Sequence, residues 1–78
     1  MKGRDTPLQF EQHAAWRMRK RGVSPEQVVE TVYRPDAVRP ARRPGAQRYE
    51  KAFSARRRLA AIAEREEAFL RIVSAWWM

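Results

Sequence analysis

The stretch from His13 to Val28, HAAWRMRKRGVSPEQV, encodes two helices and the turn between them. Ser24-Pro25-Glu26-Gln27 is a capping box, with Ser24 at the N-cap, Pro25 at N1 and Gln27 at N3. Downstream, Val28, Val29, Val32 and Tyr33 recur at helical spacing as a stripe for the core. Arg34-Pro35 ends this second helix, because a residue before proline is pushed out of the α region. Upstream, Gly22 suits the C′ position of the first helix. So short a link makes the pair a compact hairpin.

Within the first helix, His13, Arg17 and Arg21 stand four residues apart. Positions i, i+4 and i+8 lie on one helix face, so the only histidine of the chain aligns with two guanidinium groups. Imidazole exchanges a proton near neutral pH, and guanidinium presents a fixed fork of donors to phosphate. A group that moves protons beside two that hold anions suits RNA cleavage without a metal. Arginines on a solvent-facing helix beside an incidental histidine give the same pattern, and spacing leaves both readings open. Trp16 and Met18 read as core side chains, since large apolar residues are usually buried.

The start of the first helix also has two readings. Thr6-Pro7-Leu8-Gln9 repeats the capping-box pattern and can open a helix there. Alternatively, Leu8 and Phe10 belong to an extended entry and the helix begins near Glu11. Close to a helix N-terminus the dipole favours neutral imidazole, the form of His13 able to act as a base.

Composition narrows the function classes. With 78 residues the chain reads as a single domain, residues 1–78, whose core suffices only if tightly organised. It has no cysteine, so neither disulfides nor a thiolate metal site can staple it. A single histidine argues against zinc, and no metal or cofactor is expected. No apolar run reaches membrane-spanning length, and MKGRDTPLQF lacks the apolar stretch of a signal peptide. The expected location is therefore the cytoplasm. Lys and Arg number 17 against 9 Asp and Glu, a net charge of +8 with a pI near 11.3. Such a balance points to nucleic acid or to an acidic protein. Between Arg39 and Arg58 come Arg42, Arg43, Arg48, Lys51, Arg56 and Arg57, with Glu50 the only acid. Acidic residues gather instead at Glu26 and Glu30 and at Glu64, Glu66 and Glu67, so the field is one-sided. Arginine-rich codon usage raises pI in the same way without any nucleic-acid role.

Residues 35–45, PDAVRPARRPG, hold Pro35, Pro40, Pro44 and Gly45 and read as a loop or an edge segment. The prolines stiffen it, so it either holds Arg39, Arg42 and Arg43 out as a basic rim or is a solvated connector. The C-terminal half is ambiguous. Residues 47–73 are rich in helix-forming Ala, Arg and Glu, and Ala52, Phe53, Leu59, Ile62, Ala63, Phe69, Leu70 and Val73 approximate a helical stripe. Against this, QRYEKAF alternates, with Tyr49 and Phe53 on one strand face, and RLAAIAE and FLRIVSAWW are short apolar runs parted by the charged turn Glu64–Glu67. Intrinsic scales do not choose between helix and strand here.

The pattern His13-Ala14-x-x-Arg17-Met18-x-x-Arg21-Gly22-Val23-Ser24-x-x-x-Val28 resembles the signature of the bacterial family known as domain of unknown function 4258. Pro35-Asp36-x-Val38, Arg42-Arg43-x-Gly45, Arg48-Tyr49 and Val73-Ser74-Ala75-Trp76 fit the same pattern, so the likeness runs from about Phe10 onward. That family is similar to the small ribonuclease toxins grouped with barnase, RelE and the colicin nucleases. The resemblance implies an α+β fold, RelE/barnase-like, in which two N-terminal helices pack on a C-terminal antiparallel sheet of three to four strands.

The resemblance also implies a chemistry. In related ribonucleases a base deprotonates the ribose 2′-OH, which attacks the adjacent phosphate and expels the 5′-oxygen without a metal. His13 would be the base or the acid, and Arg17 and Arg21 would stabilise the charge of the phosphorane. Tyr49, Lys51 and Ser74 would add a phenol, an ammonium and a hydroxyl from the strands. Ser74 stands where the family usually shows threonine, and Trp76 where it shows tyrosine, which exchanges a hydroxyl for an indole able to stack on a base. Arg42, Arg43, Arg48, Lys51, Arg56, Arg57, Arg58 and Trp76 would hold the RNA, and an acidic antitoxin protein would cover them. Tyr49, Phe53, Trp76 and Trp77 also read as packing, and Arg56–Arg58 as a solubilising turn. The competing function is a non-catalytic module that grips RNA or an acidic protein through the same arginines. Convergence of His13 and Arg17 with Tyr49 or Ser74 on one groove separates the two.

Overall fold

The computed structural model describes residues 6–78; Met1–Asp5, at the start of the stretch read for a signal peptide, lie outside it. The described residues form two helices and five strands, in the order β1 (Leu8–Phe10), α1 (Gln12–Lys20), α2 (Pro25–Tyr33), β2 (Ala37–Pro40), β3 (Ala46–Ser54), β4 (Arg57–Arg65) and β5 (Leu70–Trp77). The strands make one sheet, ordered β1-β5-β4-β3-β2. The fold is therefore α+β with the hairpin first, as expected, but the strand count and the sheet type are corrected. The sheet has five strands and is mixed, because β1 runs parallel to β5 while every other pair is antiparallel.

β1 settles the start of the first helix in favour of the extended entry. Leu8 and Phe10, two apart, both pack on the core, which is the period of a strand and not of a helix. The edge of β5 takes this short segment through Leu70 N–H to the Pro7 carbonyl at 3.0 Å and Glu11 N–H to the Ile72 carbonyl at 3.1 Å. Glu11 then caps α1, its carboxylate accepting from Ala14 N–H at 3.0 Å. α1 turns Ala14 and Met18 inward, one helical turn apart. Trp16 is not in the core as expected, since two positions from Met18 is about 200° around the helix; it is 50% exposed.

The turn after α1 forms as read. Gly22 sits at φ +71°, where a side chain would be strained. Ser24 Oγ accepts from Gln27 N–H at 3.2 Å while the Gln27 side chain accepts from Ser24 N–H at 3.0 Å, completing the capping box. α2 ends at Arg34. The proline-rich stretch holds β2, an edge strand on β3, and Pro40 ends it where no further strand requires its missing donor.

α1 lies over β5, and α2 over β4 and β3. Met18, Val23, Val28 and Val32 meet Leu59, Ala61, Ala63, Ile72 and Ala75 in the core between helices and sheet. None of the described residues forms an element over the other sheet face. None of the described helices is long and apolar enough to cross a membrane.

One irregularity decides which residues reach that open face. β4 and β5 pair Ala63 with Ile72 but Ile62 with Ser74, so Val73 is an extra residue, a bulge. Strand side chains alternate, and one inserted residue exchanges the faces of all that follow. Ile72 is buried under the helices. Beyond the bulge Ala75 and Trp77 also face the helices, and Ser74 and Trp76 face out.

Candidate nucleic-acid interface

The open face is read from the register of its strands. One row runs from Arg39 on β2 through Arg48 on β3 and Ile62 on β4 to Ser74 on β5. The next runs from Ala37 through Glu50 and Ala60 to Trp76. Arg58 lies two residues before Ala60 on the same side of β4. At the other end, Glu64 pairs in register with Arg71.

Glu50 is the centre of this grid. It is only 4% exposed although no helix covers it. Its Oε2 accepts from Arg48 Nε at 2.8 Å and lies 3.4 Å from Arg39 Nε, and its Oε1 lies 3.5 Å from Arg58 Nη2. Burial by itself pushes the carboxyl up. The guanidinium groups of Arg39, Arg48 and Arg58 more than reverse that and hold it below the usual carboxylate range. With both oxygens engaged and the charge held, Glu50 is a hub for arginines and a poor proton acceptor. The guanidinium carbon of Arg48 also lies 5.2 Å from the ring centre of Trp76, a cation–π contact.

Charge is uneven along this face. Arg43 and Arg71 are matched by Glu64 and Glu66. Around Glu50, three arginines share one buried carboxylate, and Asp36 stands 4.0 Å from Arg58. The surplus of positive charge therefore lies beside Trp76.

The predicted site residues fall in three places. Arg48, Arg58, Ser74 and Trp76 share the open face. Tyr49 and Lys51 alternate onto the helix side with Arg57. Lys51 donates to the Arg34 carbonyl at 2.9 Å, and the Arg57 guanidinium lies 3.9 Å from the ring centre of Trp77. The Tyr49 hydroxyl donates to Gln47 Oε1 at 3.1 Å; burial pushes this phenol up, with Arg65 opposing in part. Tyr49 lines an open cavity of about 800 Å³ with Val32, Tyr33, Phe69 and Leu70. Arg42 and Arg43 belong to the β2–β3 turn and Arg56 to the β3–β4 turn, all exposed.

The helix ladder is the third place. His13 and Arg17 are exposed on α1. The imidazole stacks near Trp16, with ring centres 6.1 Å apart, and Lys20 Nζ lies 5.1 Å from the same indole. Arg21 is committed to the sheet, where Nη1 donates to the Ala75 carbonyl at 3.0 Å. β1 is too short to pair that part of β5, and the guanidinium caps the bare edge. Tyr49 and Ser74, both named as catalytic candidates, lie on opposite faces of the sheet, so the ladder can meet at most one of them in one groove. Register is the cause: Tyr49 is level with Ala61 and Ala75, and Ser74 with Ile62 and Arg48.

Sequence reasoning placed Arg39 only in a candidate basic rim and missed Glu50 as a site residue. A signal was present, since Arg48 and Glu50 are two apart in an alternating segment and so share a face. A comparison with protein-family models, with curated proteins and with solved structures finds no match to this chain.

Proposed function

We propose that this chain binds single-stranded RNA across the open face of its sheet. The observation that carries the reading is Arg48 set against Trp76 on an uncovered surface, with Arg39 and Arg58 alongside. Guanidinium forks suit phosphate, and an indole stacks on any base. A single strand offers both groups together, whereas a duplex keeps its bases stacked inside. The test is binding of a short single-stranded RNA over a range of salt. Each phosphate neutralised adds about −0.7 to the slope of log affinity against log salt, so affinity should fall as salt rises, and salt-independent or absent binding refutes the reading. An acidic protein would compete for the same arginines.

A second reading has its own observation, the exposed His13 with Arg17 one turn further along α1. In it the chain is a metal-independent, toxin-like ribonuclease of the cytoplasm, held in check by an acidic antitoxin, as the resemblance to the domain of unknown function 4258 family implies. Two helices on one side of the sheet, ahead of its antiparallel strands β2 to β5, support a RelE- or barnase-like layout, while the parallel β1 departs from it. His13 would move the proton and Arg17 would hold the phosphorane. Incubation with RNA in the presence of a chelator separates the two readings. Cleavage that disappears in His13→Ala selects the ribonuclease, and intact RNA held with salt-sensitive affinity selects the binding module.

A further inference from the structure

We infer that Glu50 is a positioning residue that gathers Arg39, Arg48 and Arg58 into a seat for one phosphate group. The inference rests on the RNA-binding reading for its ligand, and on the geometry of four side chains for the seat itself. A guanidinium carries five N–H donors. The contacts to Glu50 use Nε of Arg48, Nε of Arg39 and Nη2 of Arg58. Arg48 Nη2 also reaches Met78 Sδ at 3.9 Å, and Arg58 Nη1 lies 4.0 Å from Asp36. Arg48 Nη1, both Nη atoms of Arg39 and Arg58 Nε are left for a ligand, on side chains that are 32%, 62% and 42% exposed for Arg48, Arg39 and Arg58. Three like charges on adjacent strands would otherwise splay apart. A single buried carboxylate holds them together and cancels only one of the three, or two with Asp36 counted. With Asp36 counted, the one charge left matches the single charge of a phosphodiester.

This arrangement reverses the simple electrostatic expectation. Removing an acid raises the net charge from +8 and should tighten RNA if the protein acts only through its field. If Glu50 sets the geometry, Glu50→Gln weakens single-stranded RNA binding about tenfold, as expected for lost charge-assisted hydrogen bonds. Glu67→Gln, the same charge change outside the cluster, leaves affinity equal or slightly higher. Arg39 is mostly solvated, so Arg39→Gln folds whatever Glu50→Gln does; it should lower affinity several-fold. Glu50→Asp should restore part of the loss.

A readout without RNA keeps the seat separate from its ligand. The Arg48 Nε–H resonance should stand apart in the wild type, move on titration with inorganic pyrophosphate, and lose both properties in Glu50→Gln. If the wild type binds no RNA while that titration behaves as stated, the seat stands and the RNA reading falls. If Glu50→Gln binds RNA as tightly as the wild type or tighter, or Arg39→Gln binds unchanged, the positioning role is overturned.

Discussion

The two faces of this sheet bury side chains by different means. Under the helices, Leu59, Ala61, Ala63, Ile72 and Ala75 are closed off by Met18, Val23, Val28 and Val32, apolar group against apolar group. On the open face Ala60 and Glu50 are almost as inaccessible, yet their surroundings are Arg39, Arg48, Arg58 and Trp76. The first kind of burial stabilises in proportion to the apolar area removed from water. The second relies on long side chains whose stems lie across the sheet while their charged heads stay wet. One face stores stability, and the other arranges groups for a ligand.

The largest expected effect breaks the covered face. Leu59 is fully buried at the centre of β4, and Leu59→Ala should cost about 2–5 kcal/mol in urea unfolding. The RNA affinity of the folded fraction should not change; a loss below about 1 kcal/mol would deny that this face carries the stability. Trp76→Ala is the mirror experiment. Losing one stacked base costs about 1–3 kcal/mol, a drop in affinity of about five- to 150-fold, with unfolding altered by much less than for Leu59→Ala. If both substitutions move stability and affinity together, the division between the faces is wrong.

How much was legible follows the same division. The helix hairpin could be read because its signals are local: Ser24 and Gln27 bond to each other within one turn, and Gly22 supplies its own backbone freedom. The strands could not be assigned by propensity, since Ala, Arg and Glu favour helix and only tertiary pairing overrides them. β1 was one of two readings, for Leu8–Phe10 gains its partner from β5, some sixty residues on. The bulge at Val73 was invisible, and it alone decides that Ser74 and Trp76 face out while Ala75 and Trp77 face the helices. Pairing Tyr49 with Ser74 in one site failed for that reason. Glu50 looked like a lone acid in an arginine run because its burial depends on three strands and not on its neighbours in sequence.

Arg21 sharpens the comparison where the faces meet. Its guanidinium closes the edge of β5 left bare beyond β1. Arg21→Ala should therefore cost about 1 kcal/mol of stability, the net worth of one such hydrogen bond, and leave RNA affinity within twofold. An affinity loss as large as that of Trp76→Ala would return Arg21 to the ligand site.

The smallest expected effect is a dependence on acid that only the open face has. Glu50's folded pKa is held below its ordinary value, since the three guanidinium groups outweigh its burial. A carboxyl with a depressed folded pKa adds stability above its unfolded pKa, about 4.3 for Glu. That contribution is lost as pH falls through the folded value. Thermal midpoints of the wild type and of Glu50→Gln, followed from pH 6 to 3, should therefore approach each other on the acid side. Every other carboxylate is common to the two proteins, so the difference isolates Glu50. Parallel profiles would mean that Glu50 contributes through its shape rather than its charge. The open face would then be held together as the covered one is, by packing, and the arginines around Glu50 would need another reason for standing so close.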